Sequence, residues 1–221
     1  MALPSALRGW RALILLVIVL AGGAAAFYYA REEPAEEVGR AEAAGMMKDL
    51  MLGKARVGGP FTLTDQHGSQ RSLADFRGKL VLLYFGYTFC PDVCPTDLLA
   101  IGQLIRSLGR AGNAVQPVFV TLDPERDTQA VIGNYAAAFH PRFIALRGSE
   151  REIRRIATAY KVYYEKVTPP GSGTYVIDHT AFIFLLDREG DYVTFFPAGT
   201  TVDRMAVTVR EVLALPGQPG Q

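Results

Sequence analysis

Cysteine and histidine are scarce in this sequence, with 2 Cys and 3 His among 221 residues. Any thiol or metal chemistry is therefore confined to a handful of positions. An excess of one charge sign is also missing. Lys and Arg total 23 against 22 acidic residues, a formal net charge of +1, and no extended basic run occurs. The electrostatic footprint that a phosphate backbone requires is lacking, which argues against nucleic acid as a partner. There is no internal repeat. With an N-terminal apolar segment set aside, the length leaves room for one ordinary globular domain.

The N-terminal region does contain a long uncharged run, ALILLVIVLAGGAAAFYYA from Ala12 to Ala30. It is about as long as a helix needs to cross the hydrocarbon core, so residues 12–30 are expected to form a transmembrane helix. Arg8 and Arg11 precede it, while Arg31 beyond it is followed at once by Glu32 and Glu33. That asymmetry predicts cytoplasmic residues 1–11 and a single-pass, membrane-anchored domain on the non-cytoplasmic side, periplasmic or equivalent. Ala24, Ala25 and Ala26 suit a cleaved signal sequence, but the run exceeds a usual h-region, which favours the anchor. Residues 31–53, rich in Ala and Glu, read as a stalk or linker with some helical character. Met46, Met47 and Met51 lie in it, as flexible packing or, less simply, as a soft entry point for Cu(I). Residues 54–215 are the folded domain and 216–221 a flexible tail.

Within that domain the pattern is α/β. Asp65-Gln66-His67-Gly68 is a turn between short strands, and Leu73 to Gly78 a connecting turn. Leu80 to Tyr87 is a near-continuous apolar run, as in a central strand covered on both faces, and a helical segment from Thr96 to Leu108 follows. Val115 to Leu122 is the next buried strand, Thr128 to Phe139 a helix, Phe143 to Leu146 a short strand and Glu150 to Tyr160 a helix. This alternation predicts a parallel core. Ala181 to Leu186 and Tyr192 to Phe196 flank Asp187-Arg188-Glu189-Gly190-Asp191 as an antiparallel hairpin, and Val202 to Leu213 closes the domain as an amphipathic helix.

Both cysteines fall where the first central strand ends, in Thr88-Phe89-Cys90-Pro91-Asp92-Val93-Cys94-Pro95. Open α/β sheets build their sites at such carboxyl ends. If Pro91 starts a helical turn, the i, i+4 spacing sets both side chains on one face, about 6 Å apart along the axis. A helix N-terminus also favours the thiolate, which is the form that binds metal and attacks disulfides. A purely structural disulfide would close too short a loop to remove much chain entropy. A pair that switches between dithiol and disulfide fits better.

Two thiolates leave Cu(I) short of a three-coordinate shell, so a third ligand must come from elsewhere. His67 sits in a predicted turn and His140 precedes Pro141 at a helix end, where surface or capping roles are ordinary. His179, in Val176-Ile177-Asp178-His179-Thr180, stands at the entrance of the strand beginning at Ala181. The residues alone leave it open between a ligand and a satisfied polar side chain.

Three separated segments carry a resemblance. Tyr87-Thr88-Phe89-Cys90-Pro91-Asp92-Val93-Cys94-Pro95, Leu122-Asp123-Pro124-Glu125-Arg126-Asp127-Thr128 and Asp178-His179-Thr180 together resemble the Sco/SenC family of copper chaperones for cytochrome c oxidase. The resemblance covers about Lys54 to Leu215. It implies a thioredoxin-like central mixed sheet flanked by helices, preceded by a transmembrane helix, and in such sheets the entrance occupied by His179 faces the cysteines. It further implies copper, as Cu(I), Cu(II) or both, on Cys90, Cys94 and His179. The implied partners are the copper-binding subunit of a cytochrome c oxidase, a second periplasmic copper chaperone or a thiol reductant, and the membrane. For Asp123 the resemblance suggests copper support or partner docking; a turn at Asp123-Pro124, with Asp127 or Thr128 capping the next helix, is the simpler account. Phe89, Tyr160, Tyr163 and Tyr164 receive no role.

A metallochaperone turns over no substrate, so the chain is not expected to be an enzyme. The rival is a thiol-disulfide oxidoreductase that keeps the oxidase's copper-site cysteines reduced. Such enzymes commonly use Cys-x-x-Cys, whereas three residues separate these cysteines. A peroxidase on the same fold ranks third. Zinc could occupy the same ligands, but the affinity order favours Cu(II) over Zn(II).

Overall fold

The computed structural model describes residues 15, 17–23, 45, 48 and 56–215. The chain divides into two compact units, residues 1–55 and 56–221. In the first unit every described residue is helical.

The second unit is built on a seven-stranded sheet. Its strands are β1 (Thr62–Asp65), β2 (Gln70–Ser72), β3 (Leu80–Gly86), β4 (Val115–Thr121), β5 (Ile144–Arg147), β8 (Phe182–Leu186) and β9 (Tyr192–Pro197), in the order β2-β1-β5-β4-β3-β8-β9. The remaining strands, β6 (Tyr164–Val167) and β7 (Val176–His179), pair only with each other. The helices are α1 (Val93–Ser107), α2 (Gln129–Phe139), α3 (Glu150–Ala159) and α4 (Val202–Ala214).

β3 and β4 are buried at every position and run parallel from Leu80↔Val115 to Gly86↔Thr121. Their apolar runs suit strands covered on both faces. β4 and β5 are parallel as well, whereas β3 and β8 are antiparallel, which makes the sheet mixed. Alternation along β3 sends Phe85 to the α3 side, where its ring lies 5.6 Å from Tyr160. Tyr84 points the other way, on the face where its register partner Phe119 meets Tyr135 of α2 at 5.8 Å. The same face carries α1, which packs on α4 and buries Cys94, Leu98, Ile101, Leu104 and Ile105 at helical spacing. Burial of each large apolar side chain contributes about 1.5–3 kcal/mol.

The fold is thus the thioredoxin-like mixed sheet with flanking helices, but its expected transmembrane helix is overturned. Among the described residues no helix is long and apolar enough to cross a membrane. Within 12–30 the described helical residues are 15 and 17–23. The expectation rested on apolar composition, which does not by itself set helix length. The single-pass anchor, the membrane as a partner and the non-cytoplasmic placement derived from it fall together. The other residues of that run lie outside the described residues, as do Met46, Met47 and Met51.

Strands β6 and β7 are not among the elements expected from the sequence. The sequence pattern places His179 before a strand of the main sheet, whereas His179 ends β7 opposite Tyr164.

Candidate metal centre

β3 delivers the chain to the site and then stops. Beyond Gly86, the Cys90 backbone N–H donates to the Tyr87 carbonyl at 3.3 Å, forming a tight loop. α1 begins only at Val93, with Asp92 at its N-cap making no side-chain capping bond. Cys94 is therefore in the first helical turn while Cys90 lies in the loop before it. The loop, and not a shared helix face, brings the two sulfurs together.

Cys94 is fully buried and Cys90 half-buried, both as free thiols. Cys94 Sγ sits over Gly86 so closely that a Cβ there would meet it at 2.8 Å and Tyr84 Cε1 at 2.9 Å. Glycine at this position is required by that contact, its φ being ordinary. His179 arrives from β7 with Nε2 3.3 Å from Cys94 Sγ. Its Nδ1 lies 3.2 Å from the Thr180 carbonyl. A carbonyl only accepts, so Nδ1 carries the proton and the Nε2 lone pair faces the sulfurs. The rings of Tyr84 and Tyr87 meet the imidazole edge-on, at 6.4 and 5.9 Å.

One ligand atom from each of Cys90, Cys94 and His179 lies within 4.8 Å of the others, the one such cluster of metal-ligating groups among the described residues. The two sulfurs and one imidazole nitrogen suit a soft, three-coordinate ion, and the cluster is consistent with a copper-binding site. His67 is exposed in its turn, and His140 caps α2, its Nδ1 accepting from the Arg142 N–H at 3.2 Å. Neither joins the cluster.

The thiols divide their labour. Hydrogen bonding from Cys94 holds the Cys90 thiol well below the ordinary range against the opposing effect of burial, with a further contribution from His179. Cys94 is pushed the other way, by its bond to Cys90 and then by burial. The pair thus loses its first proton easily and its second with difficulty. In the metal-free, reduced protein, Cys90 should alkylate first, at a rate nearly flat from pH 8 to about 6, where an ordinary thiol slows about tenfold per unit. Peptide mapping after iodoacetamide pulses checks this; a rate that falls with pH as for a free thiol would contradict it.

Of the groups surrounding the cluster, Tyr84 and Asp97 carry no role in the sequence analysis. Tyr84 Oη and Asp97 Oδ2 are buried without a hydrogen-bond partner, and Tyr84 lies beside both Cys94 and Asp97. Asp97 Oδ1 accepts from the Gly199 N–H at 3.4 Å, and burial raises the Asp97 carboxyl above its usual range. Asp127 is buried and braces the cysteine loop by accepting from the Thr88 N–H at 3.1 Å and its hydroxyl at 2.6 Å. Thr128, not Asp127, caps α2, and Asp123 accepts from Arg126 and Tyr175. The i, i+2 alternation along β3, which sets Tyr84 on one face with Gly86, is the sequence signal for those two positions.

A family model described as SCO1/SenC matches residues 50–214. The bovine protein SCO2 homolog, mitochondrial, is 40% identical over 166 residues, 74% of this chain and 62% of its own length. The chain therefore spans less than two thirds of that relative. The structure of Bradyrhizobium japonicum ScoI with copper bound is 42% identical, with a TM-score of 0.65, and the match covers 71% of this chain and 99% of that one. Yeast Sco1 with copper bound is 32% identical with a TM-score of 0.67, over 74% of this chain and 92% of that one. On the extent of the match, the chain belongs to the SCO1/SenC family.

Proposed function

We propose that this protein is a copper metallochaperone that carries copper as cargo on Cys90, Cys94 and His179 and passes it to the copper-binding subunit of a respiratory haem-copper oxidase during assembly. The observation that carries this reading is the convergence of three soft or borderline ligands within 4.8 Å, from two separate elements. Half-burial of Cys90 leaves one thiolate reachable by an incoming ligand, so copper can leave by stepwise exchange. Buried Cys94 and the Thr180-oriented imidazole hold the ion meanwhile.

The easily formed Cys90 thiolate also suits thiol-disulfide exchange, which keeps the oxidoreductase reading in play. His179→Ala separates the two. The substitution is expected to weaken Cu(I) retention by more than the roughly 10–100-fold that loss of an outer partner costs, while dithiol exchange with a model disulfide stays within about twofold. Competition with a Cu(I) chelator and a thiol-exchange assay on the same preparation read both quantities. Unchanged copper retention would remove His179 from the site, and absence of copper binding by the wild type would give the oxidoreductase reading priority.

A further inference from the structure

The cluster's two arms are not joined by backbone pairing. Its cysteines come from the loop after β3 and from α1, while His179 comes from the β6–β7 hairpin, which shares no ladder with the seven-stranded sheet. Bonds between Tyr163 and Thr180 close the hairpin on itself. Only two residues separate His179 from β8, which pairs with β3, so the chain carries it to the neighbourhood of the sulfurs, and a group placed between the hairpin and the cysteine loop can set the remaining distance.

Arg126 occupies that position. Its Nε donates to Asp123 Oδ2 on the loop after β4, and its Nη1 donates to the Tyr175 carbonyl, next to the first residue of β7, at 3.0 Å. The guanidinium lies 3.7 Å from the centre of the Tyr175 ring, 4.8 Å from that of Phe89, which precedes Cys90, and 5.9 Å from that of Tyr87. Tyr175 in turn donates its hydroxyl to Asp123 Oδ1 at 2.9 Å. Nη2 is buried without a hydrogen-bond partner, so the aromatic faces supply its surroundings. A planar, forked cation between two rings satisfies geometry that a lysine ammonium does not.

We infer that Arg126 is a positioning residue: stacked between Phe89 and Tyr175 and bonded to the Tyr175 carbonyl, it latches the His179 hairpin to the cysteine loop and so sets the copper site's third ligand in place. The exposed Lys166–Glu125 pair, 2.9 Å apart, ties the same hairpin to the loop after β4 but is open to screening by salt. The inference rests on the proposed ligand set, and the test separates the two.

Wild type, Arg126→Ala, Tyr175→Leu and His179→Ala, each as the full chain, are loaded with Cu(II). They are read by the thiolate-to-copper charge-transfer band, by imidazole nitrogen couplings in pulsed electron paramagnetic resonance, and by the rate of copper loss to a chelator. Arg126→Ala and Tyr175→Leu should keep the charge-transfer band and the melting transition, lose the nitrogen couplings as His179→Ala does, and release copper about 10–100-fold faster. Free imidazole should restore the couplings in both. Should Arg126→Ala not fold, Tyr175→Leu, on the partly exposed hairpin, decides alone. Wild-type couplings and release rates in the latch variants, with couplings lost only in His179→Ala, overturn the inference and leave the ligand set standing. Wild-type couplings in His179→Ala overturn both.

Discussion

Cys94→Ala is expected to abolish copper retention under chelator competition while leaving the domain folded. Cys94 supplies one of only two thiols in the chain, and its Sγ lies 3.3 Å from His179 Nε2. Removing it takes away a first ligand and the atom that the Nε2 lone pair faces, so the loss should exceed the 10–100-fold that an outer partner is worth. The packing cost is smaller. Sγ fills space against Gly86 and Tyr84, and its deletion leaves a void no larger than a methyl-sized group, worth about 1 kcal/mol. Copper analysis after chelator challenge and a thermal melt therefore separate: the first should collapse and the second move by a few degrees. If the variant retains copper like the wild type, the cluster is not the carrier.

Asp127→Ala should act in the opposite proportion, mainly on stability. The Asp127 carboxylate accepts from the Thr88 N–H and hydroxyl and from the Thr121 hydroxyl at 2.5 Å, inside the protein. Truncation leaves those donors without a partner, at about 1–3 kcal/mol for each buried group left unsatisfied, so a loss of about 3 kcal/mol is expected. Urea unfolding measures it; a loss under about 1 kcal/mol would show that the loop after β3 is braced by other contacts. Asp127→Asn adds a pH test. Burial raises the Asp127 carboxyl above its usual value despite the hydrogen bonds from Thr121 and Thr88. The folded state thus holds a proton that the unfolded chain releases, so this group's contribution is fullest below the unfolded carboxyl pKa of about 4 and is lost as pH rises through the folded value. The asparagine variant should lack that decline, visible as a wild-type-minus-variant stability difference that shrinks as pH rises above about 4.

Much of the fold was readable along the chain because its elements are local and strongly patterned. The buried runs of β3 and β4, the Thr128 cap and the β8–β9 hairpin are specified by neighbours within a few residues. The hairpin β6–β7 was not readable. Its strands are four residues each with exposed charges, and the segment between them carries the turn-prone Pro169, Pro170, Gly171 and Gly173, which mask the pairing. The apolar run at 12–30 signals affinity for hydrocarbon, but among the described residues no helix is long and apolar enough to cross a membrane.

By itself the sequence determined the chemistry on offer: two thiols one short loop apart, three imidazoles, and no other soft donor but methionine in a nearly neutral chain. Bond types and their pKa ranges belong to the residues, so they can be read without a fold. Tertiary structure alone decided which imidazole meets the sulfurs, that Cys90 and Cys94 differ in burial and proton affinity, and that Asp127 braces the cysteine loop. It also placed Arg126 between that loop and the His179 hairpin. Those are properties of distance between residues far apart in the chain, and His179 stands 85 residues from Cys94. Only the packing of β7 against the end of β3 and the start of α1 reduces that separation to a bonding distance.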